Sequence, residues 1–161
     1  MITGIVIPHD ASADLREEPF EALLDYQRAV GGYVELVHTE LERLTLYANE
    51  EGTVRGLPIN RRATCMWWLL SPAVRGSDVL VGDVVVVGAQ HGYRSTTDLS
   101  KEFRDLLLET PAYKVELRTD DSKGRWFSNE VHFASYFETA IYAIDLMERW
   151  SAVRDIRVIA A

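Results

Sequence analysis

Residues 49–68 read NEEGTVRGLPINRRATCMWW and hold the densest set of turn and helix signals in the chain. The first four, Asn49-Glu50-Glu51-Gly52, predict a tight turn in which Gly52 adopts a positive φ. Gly56-Leu57-Pro58 predicts a second corner, and Asn60 is a residue type that caps helix N-termini. The stretch therefore predicts turn chemistry that delivers a helix onto the surface of a sheet.

Short apolar segments around this stretch predict the strands of that sheet. They are Ile2–Ile7, Tyr33–Val37, Leu44–Ala48 and Val79–Gly88. The last contains four consecutive valines, which indicates a central strand buried on both faces. Two helices are predicted in this region. One begins near Pro19 and ends at Gly31-Gly32, and the other follows Asn60. Residues 1–92 are thus predicted to form a mixed sheet with two helices.

Residues 93–161 predict a second, smaller module. Tyr113–Thr119 and Arg125–Phe133 are predicted strands, a helix follows Ser135, and Asp155–Ala160 closes the unit. The order strand, strand, helix, strand is typical of a compact α+β unit. The predicted fold class is therefore α+β with two small modules, which either stand as two domains or pack as one.

Composition excludes several classes of protein. The chain has 161 residues and a formal net charge of -8, which opposes non-specific binding to nucleic acid or to anionic lipid. A single cysteine rules out an internal disulfide. The chain start has no basic region typical of a signal peptide, and no apolar run approaches membrane-spanning length. We expect a cytoplasmic protein without membrane contact or direct nucleic-acid binding.

Motifs for enzyme chemistry are missing from the sequence. The four histidines are dispersed without ligand spacing, so no metal site is expected. The glycines match neither phosphate-loop pattern, there is no nucleophile elbow, and we expect no cofactor. Cys65 sits early in a predicted helix, where it is either a small buried hydrophobe or a reactive thiol.

Candidate binding residues gather at the start of the helix after Asn60. Arg61 and Arg62 would stand beside free backbone donors, a setting that suits an anion. Cations at a helix N-terminus are unfavourable for the helix dipole, so they need a partner. That partner is either a carboxylate of the same chain, which has 25 acidic residues, or an acidic or phosphorylated ligand. The ligand-binding alternative places Glu50 and Glu51 in the binding site beside Asn60, Arg61 and Arg62.

Trp67 and Trp68 supply a second candidate surface. Neighbouring side chains on a helix diverge by about 100°, so the two cannot enter one core together. One is expected to be buried and the other to reach solvent or an interface, where tryptophan is favoured. This predicts binding to a host protein or to a second copy of the chain.

The acidic balance raises one further hypothesis, a DNA-mimic anti-restriction protein. Acidic residues cluster at Glu17-Glu18-Glu21-Asp25, at Glu50-Glu51 and at Asp120-Asp121. Basic residues interrupt these clusters, whereas a DNA mimic needs rows of carboxylates.

Several short elements resemble a known family. Gly31-Gly32-Tyr33-Val34-Glu35, Asn49-Glu50-Glu51-Gly52, Gly56-Leu57-Pro58-Ile59-Asn60-Arg61 and Val81-Gly82-Asp83-Val84 resemble, in order and spacing, small domains of unknown function from phages, plasmids and bacterial accessory genomes. This resemblance covers roughly residues 2–90. The remainder, with Trp126, Arg149-Trp150 and Arg157-Val158, is similar to C-terminal modules of small actinobacterial phage proteins. The resemblance implies a phage-encoded or mobile-element accessory protein in the host cytoplasm and brings no activity with it.

The favoured hypothesis is a non-enzymatic accessory protein that binds either a host protein or a second copy of itself, the latter as a homodimer. Binding of a small anion or nucleotide at Asn60–Arg62 and DNA mimicry remain open as alternatives.

Overall fold

A computed structural model describes residues 1–91 and 95–161. The chain divides into two compact units, Met1–Lys101 and Glu102–Ala161. The predicted module boundary at residues 92–93 lies outside the described residues. Both units combine helices with antiparallel strands, so the predicted α+β class is confirmed.

The first unit is a five-stranded sheet with two helices. Its elements are β1 (Ile2–Ile7), β2 (Arg16–Phe20), α1 (Leu23–Val30), β3 (Val34–His38), β4 (Thr45–Asn49), α2 (Arg61–Leu70) and β5 (Val84–Val87). The strand order is β2-β1-β5-β4-β3, and the sheet predicted as mixed has only antiparallel pairs among the described residues. Two short strands, β6 (Gln90–His91) and β7 (Ser95–Thr96), pair beyond β5.

The valine run forms the centre of this sheet. All four residues of β5 are fully buried, as expected for a strand covered on both faces. The strand is shorter than predicted because Gly82 adopts a left-handed φ of 72°, and the ladder starts only after it. Val85 and Val87 face α1, and the neighbouring Val84 and Val86 face the other side.

Each face carries one helix. Against α1, a stack of aromatic rings fills the core, with ring centroids 4.6 Å apart for Phe20–Tyr26 and 3.9 Å for Tyr26–Tyr47. On the other face, α2 starts beside the end of β1 and ends where the Leu70 carbonyl accepts a hydrogen bond from the Leu41 N–H. The helix therefore runs along the sheet and buries Met66 completely.

Two local predictions for the first unit were wrong. The segment around Pro19 is not a helix start but the edge strand β2, where a proline is tolerated because no further strand needs its missing N–H. Gly52 does not have a positive φ. It is required instead by close packing, since a Cβ there would lie 2.5 Å from Cγ2 of Val81.

The second unit combines two helices with a two-stranded ribbon, and the longer helix packs on the ribbon. Its elements are most of α3 (Lys101–Leu108), then β8 (Tyr113–Thr119), α4 (Tyr136–Arg149) and β9 (Val153–Ala160). The Ser135 hydroxyl caps α4 by accepting hydrogen bonds from the Phe137 and Glu138 N–H groups. The strand predicted at Arg125–Phe133 is reduced to two isolated bridges to β8, Tyr113–Phe133 and Leu117–Phe127. Between these bridges the segment is longer than the matching stretch of β8, so the two cannot keep one register.

Charged side chains line the outer face of that ribbon. Arg118 pairs with Asp155 at 2.8 Å and Arg157 with Glu116 at 2.6 Å, both across the strands. Trp126 packs against both guanidinium groups, at 4.4 and 3.9 Å from its ring centroid. The arginine planes thus cover one aromatic ring that the small core cannot enclose.

Candidate functional site

Asn60 is a structural junction rather than a ligand contact. Its side-chain amide donates to the carbonyls of Ile7 (2.8 Å) and Gly82 (2.9 Å), and its Oδ1 accepts the Ala63 N–H at 3.0 Å. The residue is fully buried. Because both donors are used and the acceptor caps α2, Asn60 ties together the end of β1, the turn before β5 and the helix start.

Arg62 is committed to the loop after β1. Its Nη1 donates to the Ala13 carbonyl at 2.9 Å, and its Nη2 donates to the carbonyls of Pro8 (2.8 Å) and Asp10 (2.9 Å). Burial lowers the pKa of the Arg62 guanidinium, and nearby carboxylates including Asp83 oppose that shift. The partner expected for this cation is therefore a set of backbone carbonyls. Their dipoles offset the unfavourable interaction between the guanidinium and the positive end of the helix dipole.

Arg61, Glu50 and Glu51 do not come together as a site. The Arg61 side chain is exposed and makes no hydrogen bond or ion pair with the side chains or backbone of residues 1–91 and 95–161. The two glutamates are exposed members of the turn after β4, where the Glu50 N–H donates to the Tyr33 carbonyl. Partial burial, with Asp78 and Glu50 nearby, raises the pKa of Glu35, which places Glu50 in an acidic neighbourhood.

The two tryptophans diverge as expected from helical geometry. Trp67 is 6% exposed, and Trp68 is half-buried with its indole N–H donating to the Asp78 carbonyl at 2.8 Å. Arg75 donates to the Trp68 carbonyl from Nε and Nη2. Trp68 therefore fastens the segment that follows α2, and its part in an interface stays a prediction.

A cleft next to Asn60 and Arg62 contains titratable groups that the sequence did not single out. The Asp83 carboxylate accepts hydrogen bonds from the His9 backbone N–H (3.0 Å) and from its Nδ1 (2.8 Å). Both residues line a cavity of about 260 Å³. The other lining residues are Arg28, Ala29, Val30, Gly31, Leu57, Pro58 and Gly82.

This cleft collects the elements that carried the family resemblance. Gly31 belongs to the GGY element, Leu57-Pro58 to the GLP element and Gly82-Asp83 to the VGD element. Asn60 and Arg62 hold the backbone on both sides of His9. Two of the predicted binding residues, Asn60 and Arg62, therefore fix the backbone beside this cleft.

His9 and Asp83 could have been found by combining two signals. His9 follows the proline that ends β1, and Asp83 directly precedes β5. Because antiparallel neighbours bring the end of one strand beside the start of the other, the two side chains meet. Using these signals requires knowing that β1 and β5 are neighbours, which local sequence patterns do not indicate.

The second notable surface is the outer edge of β3. The Glu50 N–H donates to the Tyr33 carbonyl and the Thr39 N–H to the Leu44 carbonyl, so odd-numbered residues of β3 bond to β4. The backbone groups of Val34, Leu36 and His38 consequently point away from the sheet. No strand pairs with this edge in the part of the chain that the structure describes.

Apolar side chains accompany that open edge. Tyr33 is 64% exposed, Leu36 39% and Leu41 48%. The opposite edge of the sheet, β2, carries Pro19 and adjacent glutamates, features that discourage strand addition. The two edges therefore differ, and only β3 combines open backbone groups with exposed apolar side chains.

Metal-binding groups and membrane-spanning helices were sought in residues 1–91 and 95–161. No group of three or more His, Cys, Asp or Glu side chains there is arranged to hold a metal ion. No helix in these ranges is long and apolar enough to cross a membrane.

Comparison with known proteins identifies a family. No curated protein and no solved structure matches the chain. A sequence profile described as a domain of unknown function, DUF3846, matches residues 2–111, which include the five-stranded sheet and the cleft. The predicted likeness to a small domain of unknown function is thereby confirmed, and the chain belongs to the DUF3846 family.

Proposed function

We propose that this chain is a non-enzymatic accessory protein that binds another protein chain through the open edge of β3, and that its partner is a second copy of itself. The observation that carries the proposal is the set of outward backbone groups at Val34, Leu36 and His38. A strand that presents such groups adds an extended segment by main-chain hydrogen bonds. The resemblance to phage and plasmid domains supports an accessory role in a host cytoplasm.

Self-association follows from the register that β3 can adopt with its own copy. A two-fold axis through Leu36 places Leu36 opposite Leu36 and Val34 opposite His38. Each opposed pair then exchanges both of its hydrogen bonds, because all these residues point outward. No like charges face each other in this register.

Neighbouring registers are less favourable. Centring the pair on Glu35 would place two carboxylates directly opposite each other, which is destabilising. Centring it on Val37 would move Val34 beyond the end of the partner strand. The Leu36-centred register uses the whole strand and buries its most exposed apolar side chain.

Sedimentation velocity over a series of protein concentrations tests the proposal. The wild-type chain is expected to show a monomer–dimer equilibrium. Leu36→Lys should weaken dimerisation at least tenfold, because two ammonium groups would meet across the axis. Leu24→Lys is the matched control, since Leu24 is 52% exposed on α1 and lies away from the edge.

Two results would contradict self-association. One is a wild-type monomer at every concentration up to several hundred micromolar. The other is an equal effect of Leu36→Lys and Leu24→Lys. If the monomer instead captured an extended peptide that Leu36→Lys failed to capture, the partner would be another protein.

The DNA-mimic hypothesis has less to support it. Several acidic side chains form ion pairs with arginines, including Glu18 with Arg16 and Asp120 with Arg154. Such pairs interrupt the run of negative charge that a DNA mimic presents.

A further inference from the structure

We propose that the cleft containing His9, Asp83 and Arg28 binds a small organic oxyanion, a carboxylate or phosphate monoester with a short apolar body. This inference does not rest on self-association, because the cleft is formed within one copy of the first unit. It differs from the predicted site at Asn60–Arg62, where the Asn60 and Arg62 side chains are committed to backbone groups.

The His9 imidazole is oriented before any ligand arrives. Asp83 accepts the hydrogen bond from Nδ1, which leaves Nε2 as the ring atom available to a ligand. The His9 side chain is 41% exposed, so the ring is accessible. When protonated, the imidazole donates from Nε2 to an anion while Asp83 stabilises its charge.

Arg28 supplies the principal cation of the cleft. Its side chain is 70% exposed, and its ion pair with Asp25 is long, at 3.9 Å. An exposed pair of this length contributes little, so the guanidinium can turn to a ligand at low cost. The planar fork of arginine matches the two oxygens of a carboxylate or phosphate.

The negative groups around the cleft are already matched. Asp83 bonds to His9 and lies near the Arg62 guanidinium. The carbonyls at the end of α1 are also engaged: Val30 accepts from Asn49 and Gly31 from Arg55. An incoming anion therefore meets Arg28 and His9, while the Val30 and Gly31 carbonyls at the helix end are already hydrogen-bonded.

The remaining walls define the body of the ligand. Ala29, Val30, Leu57 and Pro58 give the cavity an apolar lining. Its volume of about 260 Å³ lies below the usual range for drug-sized ligands, which restricts the ligand to a small molecule.

Amide chemical shifts of the ¹⁵N-labelled full chain, titrated separately with acetate, butyrate, inorganic phosphate and ethyl phosphate, test the proposal. We expect saturable shifts confined to His9, Arg28, Gly31 and Gly82-Asp83. Each added methylene should tighten binding up to about fourfold, because it enters the apolar part of the cleft. Stronger binding of butyrate than of ethyl phosphate would identify a carboxylate ligand, and the reverse order would identify a phosphate ester.

Arg28→Gln should reduce the affinity at least tenfold, and His9→Gln should weaken it as well. Arg149→Gln is the matched control, because Arg149 also lies in the last turn of a helix and pairs with an aspartate one turn earlier. The control variant should bind as the wild type does. Non-saturating shifts in the wild type, or equal affinities for Arg28→Gln and Arg149→Gln, would overturn the proposal.

Discussion

The side-chain amide of Asn60 donates a 2.8 Å hydrogen bond to the carbonyl of Ile7, which joins the start of α2 to the end of β1. A second hydrogen bond from the same amide reaches Gly82, just before β5. Two neighbouring strands and one helix are therefore fixed at one fully buried side chain. The His9–Asp83 cleft forms where these elements meet.

Replacing Asn60 should destabilise the fold strongly. Asn60→Ala removes the helix cap and leaves the Ile7 and Gly82 carbonyls without their side-chain donor. We expect a loss of about 3 kcal/mol in the free energy of unfolding, measured by urea denaturation. The adjacent Arg61→Ala is the control and should change stability by less than about 0.5 kcal/mol. Similar losses in both variants would show that Asn60 is not the junction described.

Gly88 should tolerate no side chain. A Cβ at this position would overlap the backbone carbonyl of Asp98 and lie 2.6 Å from Oγ1 of Thr97. Gly88→Ala is therefore expected to cost about 3 kcal/mol in unfolding free energy, since backbone must move. At Gly76, an added Cβ would contact no atom within 4 Å. Gly76→Ala should therefore lower the unfolding free energy only by the strain of the left-handed φ of 77°, about 1 kcal/mol. Thermal and urea unfolding of both variants measure the two losses. A loss for Gly88→Ala no larger than that for Gly76→Ala would show that the close approach at Gly88 is absent.

The start of α1 should be sensitive to acid. The Asp25 carboxylate accepts the N–H groups of Ala22 (2.9 Å) and Glu21 (2.8 Å), and these bonds lower the pKa of Asp25 below its ordinary value of 3.8. The stabilisation is therefore fully present above that value and is lost as the pH falls through the lower, folded-state pKa.

Asp25→Asn isolates this effect. The difference in unfolding free energy between the wild type and the variant should be constant above about pH 5 and shrink towards pH 2. Urea denaturation at a series of pH values measures it. A difference that does not change with pH would mean that the ionised carboxylate is not the cap.

Much of the fold was predictable because local chemistry and tertiary structure agree. The valine run became the central strand, Asn60 capped α2, and Ser135 capped α4. The prediction of a helix start at Pro19 was wrong because proline suits both a helix start and an edge strand. Only pairing with β1 decides between the two.

The candidate site was less predictable for a related reason. The sequence marks Asn60 and Arg62 as candidate binding residues, yet their partners are backbone carbonyls, which sequence patterns do not reveal. His9 and Asp83 are 74 residues apart and meet only through the order of the strands. The open edge of β3 likewise depends on strand order and not on composition.

Cys65 should be unreactive in the folded chain. The thiol is buried, and burial raises the pKa of Cys65 to about 12, so very little thiolate forms near neutral pH. Labelling with Ellman's reagent at pH 8 should be slow in buffer and become complete in concentrated urea. Rapid stoichiometric labelling of the native protein would contradict this burial. Because the Cys65 thiol is unreactive, cross-linking of an engineered cysteine can be measured without interference from it.

Disulfide cross-linking of Leu36→Cys tests the central claim most directly, because a two-fold axis through β3 brings residue 36 of one copy opposite residue 36 of the other. Hydrogen-bonded antiparallel partners have Cα atoms about 5.5 Å apart, within the range that a disulfide spans. Under mild oxidation of dilute protein, non-reducing electrophoresis should show Leu36→Cys as a covalent dimer, formed at least ten times faster than that of the exposed control Leu24→Cys. Equal rates for the two variants, or a Leu36→Cys chain that stays monomeric, would contradict pairing through β3.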